Sequence, residues 1–265
     1  MPRMNAPKRV LVTGSAGRLG RAAVCALTAN GHHVVGFDRV ATPGLPADRS
    51  IIGSLADVET VNRVMSGCDG LIHLAATPDD AKFPRGMPPN DGDNFLTDLV
   101  PNNIVGAYTI LEAARRAGVA RIVLASTGQV IDGQLRMNEV PVTVSVPIKP
   151  RYLYACTKVF LEAIGQVYAV QHGMTVLAVR LGWCPRDLGQ VAEIRASHLA
   201  QDVFFSPGDA GRFFTATVEA PAWSGFQLVY AASRSTHLLR YDLAPAERLL
   251  GYVPQDQWPT GAEEF

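Results

Sequence analysis

The run Val10-Leu11-Val12-Thr13 opens directly into Gly14-Ser15-Ala16-Gly17-Arg18-Leu19-Gly20, and this junction limits the possible folds more than any other segment. An apolar stretch of β-formers meets three glycines spaced Gly-x-x-Gly-x-x-Gly, and a helix-like segment follows. The pattern predicts a strand, a phosphate-binding turn and a helix whose N-terminus faces a pyrophosphate. Gly14 suits the tight turn, Gly17 lets the backbone approach phosphates, and Gly20 lets helix and strand pack closely. A second strand, His33 to Phe37, ends in Asp38, at about the 20-residue spacing that the dinucleotide fingerprint requires. A carboxylate there accepts both ribose hydroxyls of the adenosine half and repels a 2′-phosphate, which argues for NAD. Arg39 keeps NADP open as an alternative, because a guanidinium beside the acid can receive a 2′-phosphate.

The chain has 265 residues, 48% hydrophobic and 18% charged, with zero formal net charge. That fits one large globular domain, or one with a small appended lobe. The neutral balance gives no electrostatic reason to propose nucleic acid or an acidic membrane as partner. No apolar stretch approaches the roughly 18 residues of a membrane span, and Met1 to Arg9 carries no apolar signal-peptide region. Cys25, Cys68, Cys156 and Cys184 are scattered without C-x-x-C spacing. They read as free thiols of a reducing cytoplasm, not as a disulfide frame or a metal site.

Further strands are expected over Ser50 to Ile52, Gly70 to Leu74, Arg121 to Ala125 and Thr175 to Val179. Helices are expected over Leu19 to Ala29, Val58 to Met65, Ile104 to Ala117 and Leu153 to Gln171. The strands read as near-continuous apolar runs, as parallel strands buried on both faces do. Alternating β and α therefore predicts an α/β fold, a Rossmann-type doubly wound parallel sheet. After Leu181 the alternation fails. The expected organisation is a dinucleotide-binding domain over 1–180 and a small C-terminal substrate lobe over 181–265, within one continuous unit. Two long irregular stretches, Thr77 to Asp93 and Gly128 to Pro150, leave the C-terminal ends of strands, where ligands bind in open α/β sheets. The Pro-rich piece Lys82 to Asp93 is expected to be a substrate lid.

Tyr154 and Lys158 stand at i and i+4, one helical turn apart on one face. A nearby ammonium favours the phenolate, so Tyr154 can exchange a proton with a carbinol while hydride passes to a nicotinamide, and Lys158 can also hold the nicotinamide ribose. The fifth strand ends in Ser126-Thr127-Gly128, and either hydroxyl can orient the substrate oxygen toward Tyr154. The other would satisfy backbone groups at the strand end.

Taken together, Thr13-Gly14-x-x-Gly17-x-x-Gly20, Asp38, His73-Leu74-Ala75-Ala76, Asn103-Ile104-Val105-Gly106, Ser126-Thr127 and Tyr154-x-x-x-Lys158 resemble an extended short-chain dehydrogenase/reductase. The closer resemblance is to uronate dehydrogenases, through Arg180-Leu181-Gly182 and the tail Leu249-Leu250-Gly251-Tyr252-Val253-Pro254. The resemblance implies Tyr154 as general base, Lys158 as its electrostatic partner and Thr127 as the substrate-orienting hydroxyl. It places Arg18 and Leu19 beside the pyrophosphate, Ser54 and Leu55 near the adenine, and Leu74, Ala75 and Ala76 along the cofactor with Leu181. Asn103 falls on the helix behind the site as a cofactor-binding residue acting through backbone and water contacts, and His73 is expected to support the cofactor loop. Thr77, Thr127, Gly128, Gln129 and Tyr154 are the expected substrate contacts. The resemblance also implies pairing into a homodimer or higher homo-oligomer through the helices holding Asn103 and Tyr154.

The chain departs from that pattern in four places, one being the loop from Thr77 to Asn102, which the Pro-rich piece makes much longer than expected. Ser54 stands where an acid is expected to bond the adenine amino group, with Asp57 as a substitute. Gly128-Gln129 replaces the usual Asn-His. Near Leu199 there is no arginine to grip a sugar carboxylate, with Arg195 and His198 as the neighbouring candidates. The functional expectation is an NAD-dependent dehydrogenase acting on a secondary alcohol or hemiacetal carbon of a sugar-like, uronate-type substrate. Alternatives are an NAD-retaining sugar or sugar-nucleotide epimerase or dehydratase, and a non-catalytic dinucleotide-sensing regulator.

Overall fold

The computed structural model describes residues 6–78, 94–137 and 139–264. Seven strands form one sheet in the order β3-β2-β1-β4-β5-β6-β7, every neighbouring pair parallel. They are β1 Arg9–Thr13, β2 His33–Asp38, β3 Ser50–Ile52, β4 Gly70–His73, β5 Arg121–Thr127, β6 Val176–Leu181 and β7 Phe226–Ala231. The order reverses between β1 and β4, which makes their C-terminal ends the switch point where ligands bind in such sheets.

Side chains alternate between two buried layers. Val10, Val12, Ile72, Val123, Val179 and Val229 face α1 (Arg18–Ala29) and α8 (Pro207–Glu219). Leu11, Val35, Leu71, Ile122 and Leu124 face α2 (Val58–Met65), α3 (Gly106–Ala117) and α5 (Leu153–His172). Helices on both faces explain why the strand sequences are apolar throughout. The doubly wound parallel sheet expected from the sequence is thus the observed fold.

The alternation does not end at Leu181. The chain passes through the short helices α6 (Leu188–Arg195) and α7 (His198–Asp202), then returns to the sheet as α8 and β7. The glycine and aromatic residues that hid this return are themselves core. Phe213 and Phe214 are fully buried, and Gly211 lets α8 lie so close to α1 that a Cβ there would stand 2.9 Å from the Ala26 methyl. A third apolar cluster, including Val130, Ile131, Val142, Val203, Tyr230 and Tyr241, roofs the C-terminal end of the sheet.

The helix expected from Ile104 begins earlier, at Phe95, and its first eleven residues form a wide π-type helix up to Val105. The Leu99 N–H reaches back five residues to the Asn94 carbonyl at 3.2 Å. Pro101 inside this segment has no N–H to donate, which removes one ordinary helical bond.

Candidate active site

A cavity of about 1270 Å³ runs along the C-terminal ends of β1, β2, β4, β5 and β6. At one end stands the glycine turn. Gly14 has φ +68, and a Cβ there would meet the Ala75 amide nitrogen at 2.7 Å. A Cβ on Gly20 would stand 2.1 Å from the Gly14 carbonyl oxygen, so strand and helix leave no room for any side chain. Gly17 differs. Its Cβ would meet nothing closer than the Gly14 oxygen at 3.3 Å, and no side chain caps the first turn of α1. The open amides at this helix start face a cradle shaped for an anion.

The Asp38 carboxylate, at the end of β2, accepts from the Ala16 N–H at 2.9 Å and from the Arg39 N–H at 2.6 Å. It therefore fixes the glycine turn and stands on the cavity wall together with Arg39, Ser54 and Leu55. Asp57 does not line the cavity. Its carboxylate caps α2, accepting from the Thr60 N–H at 3.1 Å, and bonds from the Thr60 side chain and backbone draw its pKa down.

Arg18 lines the cavity, but its guanidinium points to backbone. It donates to the carbonyls of Pro185, Gly261 at 2.6 Å and Ala262 at 2.9 Å, and so ties the end of the chain to the glycine turn.

Leu74, Ala75, Ala76 and Thr77 carry the wall onward from β4. Behind them, buried Asn103 donates to the Thr77 carbonyl at 2.9 Å and to the Thr157 hydroxyl at 3.1 Å, and accepts from the Thr77 N–H at 2.8 Å. Asn103 does not line the cavity; it joins the β4 loop to α5. His73 is buried, and its Nδ1 shares a hydrogen bond with the Thr13 hydroxyl at 2.7 Å. Burial first, then the neighbouring Lys158 charge, pulls its pKa down to about 3. His73 is therefore neutral at ordinary pH.

At the other end of the cavity, α5 presents Tyr154 and Lys158. The Lys158 ammonium lies 5.6 Å from the Tyr154 ring centre and donates to the Ala125 carbonyl at 2.8 Å. It is 3% exposed, and burial lowers its pKa to about 8. The two hydroxyls ending β5 separate here. Ser126 donates to the Glu162 carboxylate at 2.5 Å, which in turn receives two bonds from buried Arg180 at 2.9 Å each. The half-buried Thr127 lies on the cavity wall, and among the described residues its hydroxyl accepts a single long bond, 3.3 Å from the Gln129 N–H. Of the pair, Thr127 is the hydroxyl with capacity left for a ligand.

Neither Arg195 nor His198 reaches the cavity. Arg195 pairs with Glu263 at 2.9 Å on the surface, and His198 stacks on His237 with ring centres 4.0 Å apart. Leu199 does line it. Residues that sequence reasoning did not single out are Asp132, Arg136, Arg151, Trp183, Arg186 and Tyr241, all on the wall. Asp132 receives Arg136 at 2.8 Å and Arg151 at 3.1 Å. The signal for Asp132, Arg136 and Arg151 was the irregular stretch Gly128 to Pro150, which ends one residue before Arg151. The proposed lid, Lys82 to Asp93, lies outside the described residues.

A glycine-lined anion cradle, a ribose-ready carboxylate, and a Tyr/Lys pair beside a strand-end threonine all open into one cavity. The description "NAD dependent epimerase/dehydratase family" matches residues 10–183. The chain belongs to that family. It is 31% identical to the L-arabinose 1-dehydrogenase (NAD(P)(+)) of Haloferax volcanii over 96% of this chain and 99% of that enzyme. It is 30% identical to the uronate dehydrogenase of Agrobacterium fabrum, over 85% of this chain and 77% of that one. The solved glucuronic acid dehydrogenase of Chromohalobacter salexigens superposes with a TM-score of 0.75 at 30% identity, covering 97% of this chain and 88% of that chain.

Proposed function

We propose that this protein is an NAD-dependent dehydrogenase that moves hydride between a secondary alcohol or hemiacetal carbon of a sugar-like, uronate-type substrate and nicotinamide. One observation carries the reading. A buried lysine one helical turn from a cavity-facing tyrosine shares the wall with a strand-end threonine, and the glycine cradle opens into the same space.

Bound NAD supplies a hydride acceptor at its nicotinamide ring. The α1 N-terminus with Gly14, Gly17 and Leu19 would hold its pyrophosphate, Asp38 its adenosine ribose, and Ser54 and Leu55 the adenine side, with Leu74 to Ala76 and Leu181 alongside. The Gly17 cradle, where among the described residues a Cβ would meet only the Gly14 carbonyl oxygen, fits such a group. Asp38 favours the form without a 2′-phosphate, while Arg39 at the surface leaves NADP usable.

Thr127 orients the substrate oxygen and Tyr154 takes its proton. Lys158, held by the Ala125 carbonyl, places a positive charge in a dry site, where it favours the phenolate of Tyr154 more strongly than in water. Its remaining N–H groups can hold ribose hydroxyls. The Asn103 bonds to Thr77 and Thr157 keep the two sides of the pocket in register. Residues 1–180 thus hold the dinucleotide and the Tyr/Lys pair, and 181–265 supply the substrate wall while completing the sheet.

Among the described residues, no helix is long and apolar enough to cross a membrane. The four unpaired cysteines support a cytoplasmic location. Exposed Leu96, Val105 and Tyr108 before and on α3, and Val167 and Val170 on α5, support pairing into a homodimer through those helices.

The test is NADH formation at 340 nm with NAD or NADP and a panel of aldoses, uronic acids and simple secondary alcohols. Turnover of a sugar supports the proposal. NAD that copurifies with the protein, with no net NADH from any compound, contradicts it and indicates an epimerase or dehydratase.

A further inference from the structure

The geometry points to Tyr241 as a substrate-binding residue of this site, its phenol hydroxyl standing where a side chain at position 128 would otherwise reach a sugar hydroxyl. This rests on the dehydrogenase reading above.

Gly128 directly follows Thr127 on the cavity wall. A Cβ built on it would lie 2.0 Å from the Tyr241 hydroxyl oxygen and 3.0 Å from the ring carbon bearing it. The polar atom next to Thr127 therefore comes from residue 241, more than a hundred positions away. A side chain at 128 and a tyrosine at 241 exclude each other. The replacement of Asn-His by Gly128-Gln129 thus leaves no hole: the place is taken by a phenol from another segment.

The phenol is held rigidly. Its ring stacks flat on Tyr230, with centres 4.6 Å apart and planes 3° from parallel. Its backbone is clamped on both sides by Val142, which donates to the Arg240 carbonyl at 2.7 Å and accepts from the Asp242 N–H at 3.0 Å. The preceding side chain, Arg240, is anchored on buried Asp202 at 3.1 Å.

The hydroxyl itself, however, has no hydrogen-bond partner among the described residues, although Tyr241 is only 4% exposed. Its stacking neighbour makes the contrast: the Tyr230 hydroxyl accepts from Arg180 and donates to the Thr143 carbonyl, both at 3.2 Å. Buried tyrosines normally place that oxygen on a partner, and Tyr241 lines the cavity, where a ligand can supply one. Gln129, also on this wall, has an amide oxygen without a partner among the described residues. A phenol that can donate or accept and an amide oxygen that accepts, both beside Thr127, suit the hydroxyl groups of a sugar. Burial raises the Tyr241 pKa, so it stays a neutral phenol and does not compete with Tyr154 as a base.

Tyr241→Phe keeps the ring stack and removes one oxygen. The thermal midpoint and NADH affinity, read by fluorescence titration, should be unchanged. The KM for the sugar that the wild type oxidises best should rise about tenfold or more. Gly128→Ala should give a similar rise by displacing the ring, and the double variant should be no worse than the worse single, because both act through one oxygen. Against the monodeoxy analogues of that sugar, one analogue should be used equally by the wild type and Tyr241→Phe. Kinetics of Tyr241→Phe within twofold of the wild type on every sugar oxidised would overturn the assignment while leaving the dehydrogenase reading intact. A lowered thermal midpoint with unchanged KM would assign Tyr241 to structure alone. A wild type that oxidises no sugar at all would remove both proposals together.

Discussion

Replacing Glu162 by leucine should leave the Arg180 guanidinium buried without its counter-charge, and the cost can be worked from the surroundings. Arg180 is 2% exposed and Glu162 8%, and two 2.9 Å bonds join them. Burial alone pulls the Arg180 pKa down, and the Glu162 and Tyr230 oxygens more than reverse it, so its net shift is upward. Removing one partner of a buried pair costs about 3–5 kcal/mol. For a chain of this size that corresponds to a fall in thermal midpoint on the order of 10 °C. The Ser126 hydroxyl would lose its acceptor at the same time, which places the loss toward the upper end. Glu162→Leu combined with Arg180→Met removes the stranded charge, and an apolar pair of similar volume often replaces such a bridge without loss. The double variant should therefore be more stable than Glu162→Leu alone, by at least about 2 kcal/mol. Urea denaturation followed by circular dichroism measures both. A single variant within about 1 kcal/mol of the wild type, or a double variant less stable than the single, would show that Glu162 does not offset the buried Arg180 charge.

Acid should act on the fold through His73. Its unfolded pKa is 6.5 and its folded value about 3, so between these the unfolded state takes up a proton that the folded state refuses, and stability falls as the pH drops from 6.5 toward 3. At pH 4 the loss is about 3 kcal/mol, and His73→Gln should abolish most of it; an equally steep acid limb in the variant would contradict this. Gly20→Ala and Gly17→Ala should part company: the first forces the Gly14 backbone aside and should lower both thermal midpoint and NADH affinity. The second should fold with a near-normal midpoint and lose NADH affinity alone, and the reverse pattern would count against the cradle.

Much of the nucleotide half was legible because its signals are local. The limits of β1, β3 and α2 coincide with the apolar runs and turn residues that bound them, and Asp57 caps α2 just before its first residue. The glycine turn, Asp38 and the Tyr154/Lys158 pair were each written within a few residues and fall on one cavity. Legibility failed where partners are distant in sequence. Ser126 and Thr127 are equivalent as letters, and only the Glu162 carboxylate behind β5 separates them. Arg18 sits in the phosphate motif, yet the carbonyls of Gly261 and Ala262 claim its guanidinium. The eighth helix and seventh strand were missed because glycine and phenylalanine mark close packing there, not a loop. Tyr241 carried no local signal at all, since its meaning depends on the absent side chain of Gly128.

On this reading, Tyr154 exchanges the substrate proton while the glycine cradle and Asp38 hold the dinucleotide. The most direct test is Tyr154→Phe, measured for NADH binding by fluorescence and for turnover of the sugar that the wild type oxidises best. Binding should match the wild type while kcat falls by roughly 10²- to 10⁴-fold, the usual contribution of a general acid–base. A variant that binds NADH and turns over at the wild-type rate would contradict it.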